Sequence, residues 1–150
     1  MNMIRLEIYN AIEERLRAEL GDAVKHFDLW NHNVEFLEME TPWARPAVFV
    51  EFGEIDWQHL AGCRRVVRAE GTVSLHIVTD WASGSAEVLS ETFDLAERVR
   101  LALNGLADVH FHSLQLLSSI TNHNHEELWE HIEKFGFIGV KELNQIPFNN

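Results

Sequence analysis

Apolar residues recur near the start of the chain with the spacing of an amphipathic helix. They stand four residues apart, and the charged side chains fall mostly between them. The repeated positions are Ile4, Ile8, Ile12, Leu16 and Leu20. Gly21 follows where a left-handed residue commonly ends a helix. The pattern predicts a helix over Met3–Leu20 with one buried face.

Alternation of apolar and polar residues predicts the strands. It is longest in Arg65–Trp81, where every second residue from Val67 to Ile77 is apolar or glycine. Three more strands are predicted from shorter stretches that either alternate in the same way or are rich in β-branched and aromatic residues. The strands predicted in this way are Val24–Trp30, Ala47–Phe52, Arg65–Trp81 and Leu114–Thr121. The polar segment Gly53–Gly62 is predicted to be a long connection between the second strand and the third.

A second amphipathic helix is predicted over Ser85–Leu106. Ser83 or Ser85 can cap its N-terminus, and Asn104-Gly105 can end it. Its expected buried stripe consists of Leu89, Phe93, Ala96, Val99 and Leu103.

Two segments have more than one interpretation. Val34–Met39 alternates, but its glutamates suit a helix equally well. Glu126–Phe135 has the composition of a helix that Gly136 would close, whereas Trp129–Val140 has the composition of a strand. The residues alone leave both alternatives open.

One helix before the strands and one between them indicate one α+β domain over residues 1–150, with a mixed or mainly antiparallel sheet and both helices packed on it. A chain of 150 residues that is 46% hydrophobic can bury a sizeable core. The residues expected in that core are Val48, Val50, Val73, Leu75, Ile77, Leu89, Phe93 and Val99.

The charge balance is strongly acidic, with a formal net charge of -12. Non-specific binding to duplex DNA is therefore unfavourable, because such binding depends on Lys and Arg that neutralise phosphates. Cys63 is the one cysteine, which excludes an intrachain disulfide and indicates a reducing compartment. The sequence shows neither a signal-peptide pattern nor a membrane-spanning run, so a cytosolic protein is expected.

Paired histidines are the candidates for a metal site. His110 and His112, like His123 and His125, would point to the same face of a strand, and such pairs can bind zinc or nickel. No third ligand is identifiable, so neither a metal nor another cofactor is expected. No spaced nucleophile or phosphate-binding loop accompanies them. We therefore expect a protein that is not an enzyme, and the competing hypothesis is a hydrolase that uses these four histidines.

The order of elements resembles that of the tail-terminator or tail-completion proteins of long-tailed phages and prophages. The features that carry the resemblance are the opening helix Met3–Leu20, the extended Phe27–Trp30, the proline-led strand Pro46–Phe52, the strand that ends in Leu75–Val78 before helix Ala86–Leu106, and Ser119–Thr121 before a final segment that ends near Val140. The resemblance covers most of the chain. It favours a strand for Trp129–Val140, and it transfers no catalytic residue.

The resemblance implies a structural protein that forms a ring on the end of the tail tube, with six-fold symmetry, and contacts the head connector. Such a protein would be made in the cytoplasm and incorporated into a particle. A ring needs a head-to-tail interface, and exposed tryptophans at strand ends are suitable anchors. We predict that acidic residues there face arginines of a neighbouring copy. The predicted interface consists of Trp43, Glu51, Glu54, Asp56, Trp57, Arg64, Arg65, Arg68 and Trp81. The alternative is a small acidic adaptor that binds another protein.

Overall fold

The structure, a computed structural model, describes residues 3–31, 43–60, 66–80, 86–122 and 128–142. Within these ranges the chain forms two helices and five strands, with a short 3-10 turn after the first helix. The elements are α1 (Ile4–Leu20), β1 (His26–Leu29), β2 (Ala47–His59), β3 (Val66–Asp80), α2 (Ala86–Leu103), β4 (Gln115–Asn122) and β5 (Leu128–Glu142). The predictions for Val34–Met39, Cys63 and the capping serines Ser83 and Ser85 lie outside the described residues.

The five strands form one mixed sheet in the order β1-β2-β3-β5-β4. β1 runs parallel to β2, and the other three neighbouring pairs are antiparallel. β3 pairs along its whole length with β5, which places these two long strands in the middle of the sheet. The predicted α+β fold is therefore confirmed.

Both helices contribute to the core on one side of the sheet, which we call the helix face. α1 buries the five residues of its predicted stripe. From β3, Val73, Leu75 and Ile77 point to the same core and are fully buried. Gly139 of β5 lies where a side chain would collide with Ile4, so its missing Cβ lets α1 approach the sheet.

The opposite side of the sheet, which we call the open face, is covered only at one end in the described part of the chain. There Trp43, Phe49, Val78 and Leu128 form a second buried cluster with Ala47, and Trp30 packs against it. Trp43 and Phe49 meet edge to face, with their ring centroids 5.0 Å apart. This cluster buries the open face at the beginning of β2.

β2 is longer than predicted. Gly53–His59 does not form a connection but continues the strand, so that part of the prediction for Gly53–Gly62 is wrong. The register shifts between Phe52 and Ile55, which means that a bulge accommodates the glycine and the acidic residue after it. Beyond the bulge, Ile55 pairs with Gly71 and is buried again on the helix face.

The buried face of α2 differs from the predicted stripe. Ala96, Val99 and Leu103 are buried as expected, but Leu89 is half-buried and Phe93 is 48% exposed. Thr92, Leu95 and Ala102 are buried as well. The buried stripe of α2 is therefore displaced by about one residue from the predicted stripe. Phe93 lies at the rim of the core, where its ring contacts those of Trp129 and His131.

β5 confirms the strand that the resemblance favours for Trp129–Val140, and the helix alternative for Glu126–Phe135 is wrong over its described residues. β5 pairs with β3 on one side and β4 on the other. Two ladders of backbone hydrogen bonds thus override the local preference of its first half for helix.

Candidate functional site

The predicted acidic residues lie on the outer half of β2. Glu51, Glu54 and Asp56 are exposed, and Trp57 beside them is 39% exposed. β1 pairs only with Ala47–Val50, so no strand among the described residues pairs with this half of β2 on its outer side. The bulge and the carboxylates are features that natural proteins use to block pairing at a sheet edge.

Arg68 is the one predicted arginine that the structure describes, because Arg64 and Arg65 lie outside the described residues, as does Trp81. Its Nη1 donates to Gln58 Oε1 at 3.3 Å, across the β2–β3 pair. Its Nη2 is 3.9 Å from Glu70 Oε2 on its own strand. Arg68 therefore already has polar contacts in its own sheet.

A groove of about 460 Å³ crosses the open face from the outer half of β2 to the segment before β4. Three carboxylates line one wall, those of Glu54, Asp56 and Glu70. His112 and Leu117 lie on the other side. The groove thus brings two of the predicted interface residues together with a histidine predicted as a metal candidate, and its acidic wall suits a cationic group.

A buried polar cluster lies between the covered and the uncovered ends of the open face. His76 is 4% exposed, and its Nδ1 is 2.8 Å from Glu130 Oε2, while its Nε2 is 2.9 Å from Glu51 Oε1. Each ring nitrogen thus contacts one carboxyl group, from β5 on one side and from β2 on the other. His76 therefore links the central strand to both of its neighbours.

The two carboxylates around His76 differ in exposure. The Glu130 side chain is 3% exposed, whereas that of Glu51 is 48% exposed. Asn122 Nδ2 donates to the other Glu130 oxygen at 2.8 Å. Trp30 stacks on the imidazole with 3.8 Å between ring centroids and 3° between ring planes. The sequence indicated only that His76 points away from the apolar face of its strand, since the register that brings the other residues to it is not visible in the sequence.

A second polar cluster lies on the helix face between β4 and β5. Ser119 donates a hydrogen bond to Glu133, and Thr121 Oγ1 is 3.2 Å from His131 Nδ1. Burial raises the pKa of Glu133 above its usual range, and the bond from Ser119 and the charge of Arg100 oppose that shift. This carboxyl is therefore less ready to ionise than a solvated one.

The tryptophans divide between the interior and the surface. Trp43 is 9% exposed within the second cluster, and Trp129 is 8% exposed beside His131. Trp57 is the predicted interface tryptophan that the structure leaves substantially exposed. The assignment of Trp43 and Trp57 to a subunit interface stays a prediction.

The predicted metal ligands do not meet in the part of the chain that is described. His110 is exposed, and its Nδ1 is 2.9 Å from Glu7 Oε1 of α1. His112 lines the acidic groove, and His123 and His125 lie outside the described residues. Among the described residues, no three His, Cys, Asp or Glu side chains are grouped as a metal site would need.

Comparisons with known proteins identify a shared fold. No family model and no curated protein matches the chain. The fold is similar to that of a chain in a solved structure described as "Virion of native gene transfer agent (GTA) particle". The TM-score is 0.53 at 17% sequence identity, and the match covers 89% of this chain and 94% of that chain. Separately, neither of the two described helices is long and apolar enough to span a membrane.

Proposed function

We propose that this chain is a structural protein of a phage-like particle, and that it acts as a tail-terminator or tail-completion protein. The observation that carries the proposal is the similarity in fold to a chain of a gene transfer agent virion, because that similarity covers nearly the full length of both chains. The order of helices and strands resembles tail-terminator proteins independently of that comparison.

In this role the chain caps the end of the tail tube and contacts the head connector. Copies of the chain form a ring, and a ring of identical subunits needs two different surfaces that fit each other. Trp57 and the acidic outer half of β2 supply one such surface. The carboxylates of the open face would repel DNA that passes through the ring, so that DNA could move without being held.

The experiment uses purified tail tubes and electron microscopy. Wild type should bind at tube ends, and Trp57→Ala should bind more weakly. Val109→Ala is the control, because Val109 is 85% exposed and lies outside the predicted interface. A wild-type chain that does not bind tube ends contradicts the terminator role. Equal binding by wild type and Trp57→Ala contradicts only the position of the interface.

We also propose that the chain has no catalytic role and no cofactor. The paired histidines are the feature that could support the opposite, a metal-dependent hydrolase. Elemental analysis of untagged protein distinguishes the two. Stoichiometric zinc or nickel that disappears in a His123→Ala, His125→Ala variant would contradict the proposal.

The acidic groove favours a second candidate, an adaptor that binds a basic segment of a partner protein and builds no tail. Its three carboxylates would attract lysine or arginine side chains over a distance set by the ionic strength. Neighbouring genes separate the two functions quickly, since tail genes are grouped. A locus without tube, tape-measure and connector genes would favour the adaptor.

A further inference from the structure

Two threonines lie at buried positions in otherwise apolar series. On β3 the buried residues of the helix face run from Val73 to Ile77 at every second position, and Thr79 continues the series at 6% exposure. On α2 the buried residues include Thr92, which is 7% exposed. Buried polar groups in proteins nearly always have a hydrogen-bond partner. A buried threonine that lacks one is therefore unusual.

The hydroxyl of Thr79 lacks a partner in the part of the chain that the structure describes. Its Oγ1 is buried and has no hydrogen-bond donor or acceptor within bonding distance among those residues. Such an atom loses on folding the hydrogen bonds that water gives it in the unfolded chain. This hydroxyl therefore lowers the stability of the fold, and a bound group that bonds to it would remove that loss.

Thr79 and Thr92 line a cavity of about 210 Å³, which we call the Thr79 cavity. It lies where β2 begins and β3 ends, beside the first half of α2. The other lining residues are partly apolar and partly charged, namely Pro46, Val88, Leu95, Arg45, Asp80 and Glu91. Cavities that stay empty in proteins are apolar, whereas polar cavities hold water or a ligand. The Thr79 cavity therefore suits a group that has an apolar part and a polar end.

The charged residues of the cavity favour a cation over an anion. Arg45 Nε donates a hydrogen bond to Asp80 Oδ1, so these two charges largely compensate each other. Glu91 is exposed, and no described residue pairs with its carboxylate. This carboxylate would repel an anion and attract a cation. The cavity thus combines one uncompensated negative charge with one unbonded hydroxyl.

We propose that the Thr79 cavity binds a lysine side chain of a partner protein. The ammonium group donates to Thr79 Oγ1 and to the Glu91 carboxylate, and the methylene stem packs against Leu95. This occupant supplies a partner for the buried hydroxyl and a counter-charge for Glu91 in one group. The proposal goes beyond the proposed function and does not rest on it, since the partner can belong to a tail or to another assembly.

Lysine suits the cavity better than arginine. The ammonium group is compact, carries three donors and ends a flexible apolar stem. The guanidinium group is planar and is best bound by a carboxylate that accepts from two of its nitrogens. Asp80 already accepts from Arg45, so it is engaged with a guanidinium of this chain. The net charge of -12 further favours the approach of a basic partner.

The first test titrates isotope-labelled protein with a capped pentapeptide that has one lysine between glycines, and follows the amide signals by NMR. Saturable shifts are expected at Thr79, Glu91 and Leu95. The matched control is the same peptide with norleucine in place of lysine, because norleucine keeps the apolar stem and lacks the charge. The norleucine peptide should bind about tenfold more weakly, or less.

Other results of this titration would overturn the proposal. Equal binding of the lysine and norleucine peptides would make the site an apolar cavity. No saturable shift with the lysine peptide would leave water as the partner of the Thr79 hydroxyl. Tighter binding of n-butylammonium than of the lysine peptide would assign the cavity to a free amine in place of a protein side chain.

The second test separates binding from stability. Thr79→Val keeps the shape of the side chain and removes the unbonded hydroxyl, so it should melt at or above the temperature of wild type and bind the lysine peptide about tenfold more weakly. Glu91→Gln should also bind more weakly, and its binding should depend less on salt. Glu14→Gln is the matched control, because it removes the same charge from an exposed position of α1 outside the cavity. Unchanged binding by Thr79→Val, or equal losses in Glu14→Gln and Glu91→Gln, would overturn the proposal.

Discussion

The buried contact of His76 with Glu130 should stabilise the fold far more than its exposed contact with Glu51. Both carboxylates lie within 2.9 Å of the same imidazole, so the two pairs differ mainly in exposure. Glu130→Gln keeps the shape of the side chain but replaces one acceptor oxygen by an NH2 group. The side chain can then no longer accept hydrogen bonds from His76 and Asn122 at the same time.

Leaving a buried polar group without its hydrogen-bond partner costs about 1–3 kcal/mol. For a domain of this length, each kcal/mol lowers the melting temperature by about 2–4 °C. We therefore expect Glu130→Gln to melt about 2–12 °C below wild type. Glu51→Gln is the matched control, and since water solvates that carboxylate in its place, the expected cost is about 1 kcal/mol or less.

Urea unfolding and thermal melts at neutral pH, followed by circular dichroism, measure both variants. The reasoning would be refuted if the two variants lost equal stability, because the burial of the Glu130 carboxylate would then make no difference. It would also be refuted if Glu130→Gln unfolded with wild type. High salt should weaken the effect of Glu51→Gln more than that of Glu130→Gln, since screening acts mainly on exposed charges.

Two further predictions concern the core and the second polar cluster. Leu75→Ala should cost about 2–5 kcal/mol, because Leu75 is fully buried in the central strand, and an unchanged denaturation midpoint would contradict its place on the helix face. Burial raises the pKa of Glu133 above its ordinary value of 4.5, so the folded chain holds the carboxyl proton more tightly than the unfolded chain does. The free energy of unfolding therefore falls as the pH rises from the pKa of the unfolded chain through the raised pKa of the folded chain. Glu133→Gln should therefore gain stability relative to wild type as the pH rises over this range. A constant difference between the urea midpoints of the two proteins over the same range would contradict the prediction.

Local pattern was sufficient where burial follows a simple period. The stripe of α1 and the alternation of β3 are set by residues close in sequence, and both elements match their predictions within a residue or two. The extension of β2 was not predictable in the same way. Gly53 and Glu54 have the composition of a turn, and only pairing with the distant strand β3 turns them into a bulge.

The buried polar residues could not be found from the sequence for a related reason. Glu51, His76 and Glu130 occupy the polar positions of alternating strands, and such positions usually face water. They come together because three distant strands align in one register, and Trp30 covers the ring of His76. Sequence was insufficient for α2 as well. A period of 3.6 residues predicts which residues share a face of the helix, but it does not decide whether Phe93, at the edge of that face, lies in the core or at its rim.

The open face of the sheet divides the molecule into a part that maintains the fold and a part available for contacts. At one end, the cluster around Trp43 and Phe49 removes water, and the polar groups of His76 and Glu130 must satisfy each other. At the other end, the groove beside Glu54 is lined by carboxylates, and β4 exposes the apolar side chains of Leu117 and Ile120. Substitutions at the first end should therefore change stability before assembly, whereas substitutions at the second should change assembly while the fold is preserved. This separation would suit the proposed structural role, because the contact surfaces of such a protein must stay solvated and stable until a partner arrives.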